Sequence, residues 1–471
     1  MEQPKPTKKL NIVMFPWLAF GHLIPYLELA NQLAKKGHHI FFVSTPRNLQ
    51  RLPKIPQNTS HLITLVPISL PKTPNLPLNA EATTDVGSGH GTDLLKEAYD
   101  GLKEPMRKFL EASSSSSQPL DWIIYDFSCY WLPQIVDRFG IRKVFFSIWF
   151  ARTLSILGPL SELLKGGEGS WIELCTPPRR IPFEDKSVYF LPFEARILFE
   201  GLRMATSTVS DVVRYQGSID GCDVIAIRSC MELESQYFPF LQKYENKVVL
   251  PVGLLPPSLE NYPMDDTWQP IICWLNKQRK GSVVYIALGS EFEPSQDQLN
   301  ELALGLELSK LPFFWAFRRS KLSSLVLPEG FEDRTRDRGM IWTSWVPQLK
   351  ILSNDSVGGF LTHCGWSSII EALQFGKPLV MLPLAIDHGL YARFMVHKKV
   401  GVEIPRNVED GSFTRSCVVE SLRLVFQDEV GQIYRDEAQK LSAIFGDKSL
   451  HGKYIDQFND YLCDKQPSRS Q

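Results

Sequence analysis

The chain is short of several things, and each shortage removes a class of protein. Its eight cysteines (129, 175, 222, 230, 273, 364, 417 and 463) are scattered, with no C-x-x-C pair among them. That spacing encodes neither a disulfide framework nor a zinc site and fits the reduced thiols of a cytoplasmic protein. Charge of one sign is not in excess: 51 Lys and Arg stand against 52 Asp and Glu, a net charge of -1, so there is no general attraction to nucleic acid or an anionic membrane. Long apolar runs are missing too. The most apolar stretch beyond the N-terminus, Val144 to Leu160, carries Arg152 and is too short to span a bilayer. The first loop, PWLAFGHLIP, lacks the G-x-G-x-x-G of a dinucleotide-binding oxidoreductase.

What is present reads as a folded protein of two domains. Hydrophobic residues make up 44% of the 471 positions and charged residues 22%, a globular composition on a chain too long for one ordinary core. Lys5 to Lys9 followed by NIVMFPWLAFGHLIPYL resembles a signal peptide, but Pro16, Gly21, His22 and Pro25 interrupt the run, and a first strand is the better reading. Ile12–Phe15 is that strand. Leu23, Leu27, Ala30 and Ala34 then fall at helical spacing, and Ile40–Thr45 forms the next apolar run. Further short apolar runs follow at Trp122–Asp126, Lys143–Ser147 and Asp223–Ile227. Buried strands separated by amphipathic helices predict a parallel α/β sheet.

The pattern restarts at Ser282–Ser290 and continues through Phe313–Arg318, Gly339–Trp345, Val357–His363 and Pro378–Pro383. Residues 251–268, PVGLLPPSLENYPMDDTW, are rich in proline and turn formers and read as a linker. The expected layout is an N-terminal domain at 1–250, a linker at 251–268, a C-terminal domain at 269–445 and a last helix at 446–471. Two doubly wound domains facing one another would leave a cleft at the carboxyl ends of both sheets, where such folds bind ligands. Ser113–Ser117 reads as a surface loop, and 69–91 and 161–190 as loops of the kind that set substrate choice.

Residues 345–388 read WVPQLKILSNDSVGGFLTHCGWSSIIEALQFGKPLVMLPLAIDH. A strand ending in His363-Cys364-Gly365 and opening into a helix at Trp366-Ser367-Ser368 presents free backbone N–H groups and the positive end of a helix dipole, a site suited to a diphosphate. Ser367 and Ser368 can cap the helix or bind phosphate oxygens, and most S-S-x-x-E sequences taken alone are only caps. Taken whole, the segment closely resembles the signature box of the plant secondary-product UDP-glycosyltransferases, an inverting family with the GT-B fold of two Rossmann-like domains. WVPQ, SVGGFLTHCGW, the glutamate five residues after the tryptophan, FGKP and the closing Asp fall at the family's spacing. The likeness extends to FPWLAFGHLIPYLELA, STPRN (Ser44–Asn48), YDFSCYW (Tyr125–Trp131), SVVYIALGSE (Ser282–Glu291) and IPRNVEDGSF (Ile404–Phe413).

The resemblance implies that Trp345 stacks on uracil, with Val346 touching the base through its backbone. Gln348 and Glu371 would hold the ribose hydroxyls. His363, Ser368 and Ser290 would contact the diphosphate, and Trp366, Asp387 and His388 the sugar. Two positions depart from the usual pattern. Ser367 replaces the common Asn, which puts a diphosphate or sugar contact in question. His388 replaces the Gln associated with glucose donors, so glucose, galactose, rhamnose, xylose and arabinose all stay open.

His22 sits after the first strand, and a neutral imidazole there can act as general base. Asp126, at the end of Trp122–Asp126, would fix its tautomer, although a carboxylate at that place could equally cap a loop. The resemblance assigns both roles, base and partner, to these two residues. The remaining histidines 38, 39, 61, 90, 397 and 451 read as structural, and tryptophans 131, 149, 171, 274 and 315 as packing residues. No D-x-D tripeptide occurs, so the expectation is a single displacement that inverts the anomeric centre without a metal or any other cofactor. PWLAFGHLIPYLELA, STPRN and RSCMELE (Arg228–Glu234) resemble the branch that extends a sugar already present on a flavonoid or terpenoid glycoside. The expected acceptor is therefore a small glycoside, with the bare aglycone as the alternative and a non-catalytic nucleotide-sugar-binding protein as a remote one. The protein is expected to be monomeric, with its last helix packing back on the N-terminal domain.

Overall fold

The computed structural model describes residues 9–87, 89–115, 119–157, 170–203, 209–261, 266–289, 294–318, 325–385, 387–427 and 429–465. They form two compact units. The first comprises residues 1–166, 201–255 and 448–471, and the second 167–200 and 256–447. Residues 167–200, which the sequence reading left in the first domain, therefore cluster with the second. The chain passes between the units inside the proline-rich stretch, after residue 255.

The first unit is built on a seven-stranded parallel sheet: β1 (Asn11–Phe15), β2 (His39–Ser44), β3 (Ile63–Pro67), β4 (Trp122–Tyr125), β5 (Arg142–Ser147), β6 (Val224–Ile227) and β7 (Val248–Pro251). Their spatial order is β3-β2-β1-β4-β5-β6-β7. The middle strands are buried along their length, as WIIY of β4 and VIAI of β6 show, because helices cover both faces of such a sheet. The edge strands differ. In β3 (ITLVP) only Ile63 is buried and in β7 (VVLP) only Val249, as befits strands at the open edges of a sheet.

The second unit holds a six-stranded parallel sheet: β8 (Val283–Ala287), β9 (Phe313–Ala316), β10 (Gly339–Trp342), β11 (Val357–Thr362), β12 (Leu379–Met381) and β13 (Gly401–Glu403). The order is β10-β9-β8-β11-β12-β13. Each unit has its own apolar core, one around Leu10, Met14, Leu27, Trp122 and Phe146, the other around Val284, Ile286, Leu302, Trp315 and Leu361.

The helix Lys448–Asp464 buries Tyr454, Ile455, Phe458 and Leu462, and the last three join the core of the first unit. Polar contacts fix its register. The Trp122 indole donates to the Leu462 carbonyl at 3.1 Å. His38 accepts the Leu10 N–H on Nδ1 at 3.2 Å, so its Nε2 carries the proton and donates to Asn459 Oδ1 at 2.6 Å. Burial pushes the His38 pKa down from its ordinary value. Among the described residues no helix is long and apolar enough to cross a membrane.

The serine run is not wholly loop. The helix Lys103–Ser114 continues into it, with the Ser113 and Ser114 hydroxyls each donating at 2.8 Å to the carbonyls of Phe109 and Leu110 one turn back. Ser116 and Ser117 lie outside the described residues, as do 161–169 of the later loop.

Candidate active site

Open parallel sheets bind ligands where the strand order reverses, outside the carboxyl ends of the strands. In the first unit that point lies between β1 and β4, which neighbour each other while their chain continuations run to opposite sides. The segment after β1 supplies His22, and the segment after β4 supplies Asp126. His22 lies in the first turn of the helix Phe20–Lys35, rather than in the loop before it. Its Nδ1 is 2.8 Å from Asp126 Oδ2. The carboxylate is almost fully buried and the imidazole side chain is 13% exposed.

Asp126 is committed on both oxygens. Oδ2 also accepts the Trp17 N–H at 3.1 Å, and Oδ1 accepts the Phe127 N–H at 2.8 Å. A carboxylate so held accepts the proton on His22 Nδ1, which leaves Nε2 as the basic nitrogen. The Phe127 ring packs 5.7 Å from the imidazole.

A second layer, which sequence reasoning missed, holds the Asp126 segment. Arg214 donates to the Ser128 carbonyl at 3.2 Å and pairs with both oxygens of Asp100 at 2.6 Å each. Four residues along the same helix (Asp211–Asp220), the Ser218 hydroxyl donates to the Phe127 carbonyl at 2.9 Å, while its own carbonyl accepts from Tyr125 OH at 2.6 Å. The i, i+4 spacing of Arg214 and Ser218 on a buried helical face was the only local trace of this arrangement.

In the second unit the strand order reverses between β8 and β11; of the predicted nucleotide-sugar residues, His363 to Glu371 follow β11, Trp345 to Gln348 follow β10, and Asp387 and His388 follow β12. His363 follows β11. Its ring lies between two glycines: a Cβ at Gly289 would come within 2.6 Å of His363 Nε2, and one at Gly365 within 2.7 Å. Gly289 is also at φ +82°, so a side chain there is opposed twice over. Burial, and next the neighbouring His388, push the His363 pKa down. An edge of the residue stays open to solvent, which moderates that penalty. His363 Nδ1 is buried and has no hydrogen-bond partner among the described residues, an open donor or acceptor at the place where a diphosphate was expected. Beyond it the helix Trp366–Leu373 starts from Gly365 with no side-chain cap hydrogen bond, and a helix N-terminus favours an anionic group.

Gln348, Glu371 and Ser368 come together. Buried Tyr285 donates to Gln348 Oε1 at 3.0 Å, which orients the amide so that Nε2 donates to Glu371 Oε2 at 2.9 Å and Ser368 Oγ at 3.3 Å. Burial, and then the Glu371 carboxylate, hold the Tyr285 phenol far above its usual pKa, so it stays a neutral donor. Trp345 is 50% exposed, with its ring tilted against that of Trp268 at 5.2 Å. Val346 is buried, and its carbonyl accepts the Gln348 N–H at 3.0 Å.

His388 is 8% exposed, and its Nδ1 accepts the Ala385 N–H at 3.2 Å. The proton is therefore on Nε2, and burial pushes its pKa down to about 3, so the ring is a neutral donor. It meets His363 edge-on at 4.9 Å. Asp387 caps the helix His388–His397, its carbonyl accepting from Leu390 and Tyr391. The indole of Trp366 is turned away from such a role: it is buried, stacked on Tyr391 at 5.4 Å and edge-on to Phe445 at 6.0 Å. Ser367 is half-buried on the next position, and Ser290 lies outside the described residues.

Comparison with known proteins gives the family and the fold. Residues 248–455 match the family model described as UDP-glucoronosyl and UDP-glucosyl transferase. The chain is 48% identical to UDP-glycosyltransferase 91A1 of Arabidopsis thaliana, over 96% of this chain and 97% of that one. It is 34% identical to the cyanidin 3-O-galactoside 2''-O-xylosyltransferase of Actinidia chinensis var. chinensis, over 96% and 98%. Among solved structures, the UDP complex of UDP-glucose: anthocyanidin 3-O-glucosyltransferase shares the fold with a TM-score of 0.77 at 24% identity, covering 98% of this chain and 100% of the other. This chain is a member of the UDP-glycosyltransferase family, GT-B in fold, and transfers a sugar from a UDP-sugar donor to a small-molecule acceptor.

Proposed function

We propose that the acceptor is a hydroxyl on a sugar already attached to a terpenoid or flavonoid, and that transfer proceeds by one displacement with inversion. The observation that carries the mechanism is the His22–Asp126 pair at 2.8 Å, with the imidazole partly open and the carboxylate closed in. His22 Nε2 takes the acceptor hydroxyl proton as the oxygen bonds to the anomeric carbon. The bond from that carbon to the diphosphate oxygen breaks, and its electron pair leaves with UDP. Asp126 stabilises the imidazolium that forms.

In the donor site, Trp345 offers an indole face to the base, and Gln348 and Glu371 face the ribose diol. The open nitrogen of His363, Ser368, Ser367 and the helix N–H groups meet the growing charge on UDP without a metal. Asp387 and His388 Nε2–H are the sugar contacts. The Trp366 contribution is its backbone N–H, since its indole is buried. Support for a glycoside acceptor is the relative whose own name specifies xylosyl transfer to a galactoside.

A donor-by-acceptor mass-spectrometry screen without added metal tests this. It crosses UDP-glucose, UDP-galactose, UDP-rhamnose, UDP-xylose and UDP-arabinose with aglycones and their monoglucosides, and NMR reads the anomeric configuration. Product only on glycosylated acceptors, inverted at the anomeric carbon, is expected. Product on bare aglycones overturns the acceptor reading, and retention overturns the single displacement.

A further inference from the structure

The motif Ile404–Phe413 has no role in the chemistry above, yet it grips a segment from far away in the chain. The Phe193 N–H donates to the Val408 carbonyl at 3.1 Å. The Phe193 ring lies 4.6 Å from the Arg406 guanidinium and against Gly411, where a Cβ would approach it to 2.7 Å. Arg196 pairs with Glu409 at 3.0 Å. At the centre of this contact is Glu194, 5% exposed. Its Oε2 accepts from Arg393 Nη2 at 2.7 Å and from the Leu191 N–H at 2.9 Å, and its Oε1 accepts from Arg406 Nη2 at 2.9 Å. Glu403 balances the second positive charge, 3.1 Å from Arg406 and 3.8 Å from Arg393. Two carboxylates and two guanidiniums thus neutralise one another out of water, an arrangement whose geometry must be well kept to offset desolvation.

The same carboxylate touches the donor end of the site. Gly389 follows His388, and a methyl on it would overlap both the Glu194 carboxylate and the Arg393 guanidinium. The first turn of the helix His388–His397 therefore lies directly on the ion pair, and Arg393, from that same helix, is one of its members. We propose that Glu194 is a positioning residue for the sugar half of the donor site: it fixes the first turn of the helix His388–His397, and with it Asp387 and His388. The proposal rests on the reading that Asp387 and His388 address the donor sugar. It follows that a residue encoded between β5 and β6 of the first unit's sheet takes part in choosing the sugar.

Glu194→Gln keeps the shape and removes the charge. UDP affinity, by calorimetry, and kcat and KM for two UDP-sugars are measured on the variant and the wild type. UDP is held by Trp345, Gln348 and Glu371, so its Kd is expected to stay within about twofold. kcat/KM is expected to fall by about tenfold or more, with a changed ratio between the two donors, because a small misplacement of sugar contacts is costly to transfer. Equal losses in UDP affinity and transfer would show general damage to the unit and overturn the proposal. So would transfer within about twofold of wild type for both donors. If Glu194→Gln does not fold, Phe193→Leu loosens the same contact from its edge. It is expected to shift the donor ratio in the same direction, and an unchanged ratio refutes the idea. His388→Gln, run in parallel, separates the two levels: unchanged donor ratios there defeat the underlying reading of the sugar site, whereas a shift there with none in Glu194→Gln defeats only the coupling.

Discussion

Replacing Asp126 by Asn is the sharpest test of the base, because the change is nearly isosteric and the surroundings dictate its outcome. Three donors converge on the carboxylate: the Trp17 N–H and His22 Nδ1 on Oδ2, and the Phe127 N–H on Oδ1. An amide has only one oxygen. If that oxygen faces Trp17 and His22, the NH2 meets the Phe127 N–H, and a backbone donor is left unpaired at about 1–3 kcal/mol. If it faces Phe127, the NH2 points at His22 and selects the tautomer with its proton on Nε2, which removes the base. Either way the charge that stabilises the imidazolium is gone. A loss of about 10³–10⁴ in kcat is expected, equivalent to about 4–5.5 kcal/mol of transition-state stabilisation. Initial rates of transfer across pH, with UDP affinity measured alongside, check it. UDP binding should be unchanged, since Trp345, Gln348 and Glu371 belong to the other unit. A variant that keeps more than about a tenth of the wild-type kcat would refute the assignment of Asp126 as the partner of the base.

Trp345→Ala removes a half-exposed indole and is expected to weaken UDP binding by about 1–3 kcal/mol, the range for one base stacked on an aromatic ring; an unchanged calorimetric Kd would show that the base lies elsewhere. His388→Gln replaces a neutral Nε2–H donor by a more flexible amide, and kcat/KM for the five UDP-sugars should redistribute, a flat profile counting against the position. Acid should weaken the attachment of the last helix. His38 has a lowered pKa in the folded chain, so as pH falls below about 6.5 the unfolded chain gains a proton that the folded one refuses. The stabilisation is whole above about 6.5 and declines as pH drops toward the folded value, by at most about 1.4 kcal/mol per unit. Denaturant midpoints at pH 7.5 and 5.5 should fall further for the wild type than for His38→Gln, and parallel shifts would refute the effect.

How much of this was legible follows from what each element exposes. β1, β4, β8 and β11 are apolar on both faces, so their runs could be read directly, and the residues after them, His22, Asp126 and His363, came with them. β3 and β13 are edges with partly open faces, and nothing in ITLVP or GVE separates a strand from a loop. The helix start at 363–368 was legible as an anion site, whereas Trp345, Gln348, Glu371, Asp387 and His388 were legible only as a family pattern; that Tyr285 orients Gln348, or that Trp366 is buried, depends on packing. The pair Asp100 and Arg214 lies 114 residues apart in sequence, and no local spacing signals it. The membership of 167–200 in the second unit is equally hidden, since it rests on Glu194 meeting arginines about two hundred positions away.

That last contact bears on how enzymes of this kind can be recombined. A chimera that exchanges everything after residue 255 for the corresponding half of a relative looks like a clean swap of donor specificity. It would import a new partner for Glu194 at the positions of Arg393 and Arg406 while leaving Glu194 behind, and it would also replace the helix Lys448–Asp464 that completes the core of the first unit. A workable exchange of sugar preference carries residues 170–200 with the C-terminal half and retains 448–464 from the recipient, so that each ion pair and each core arrives with the partners it was built around.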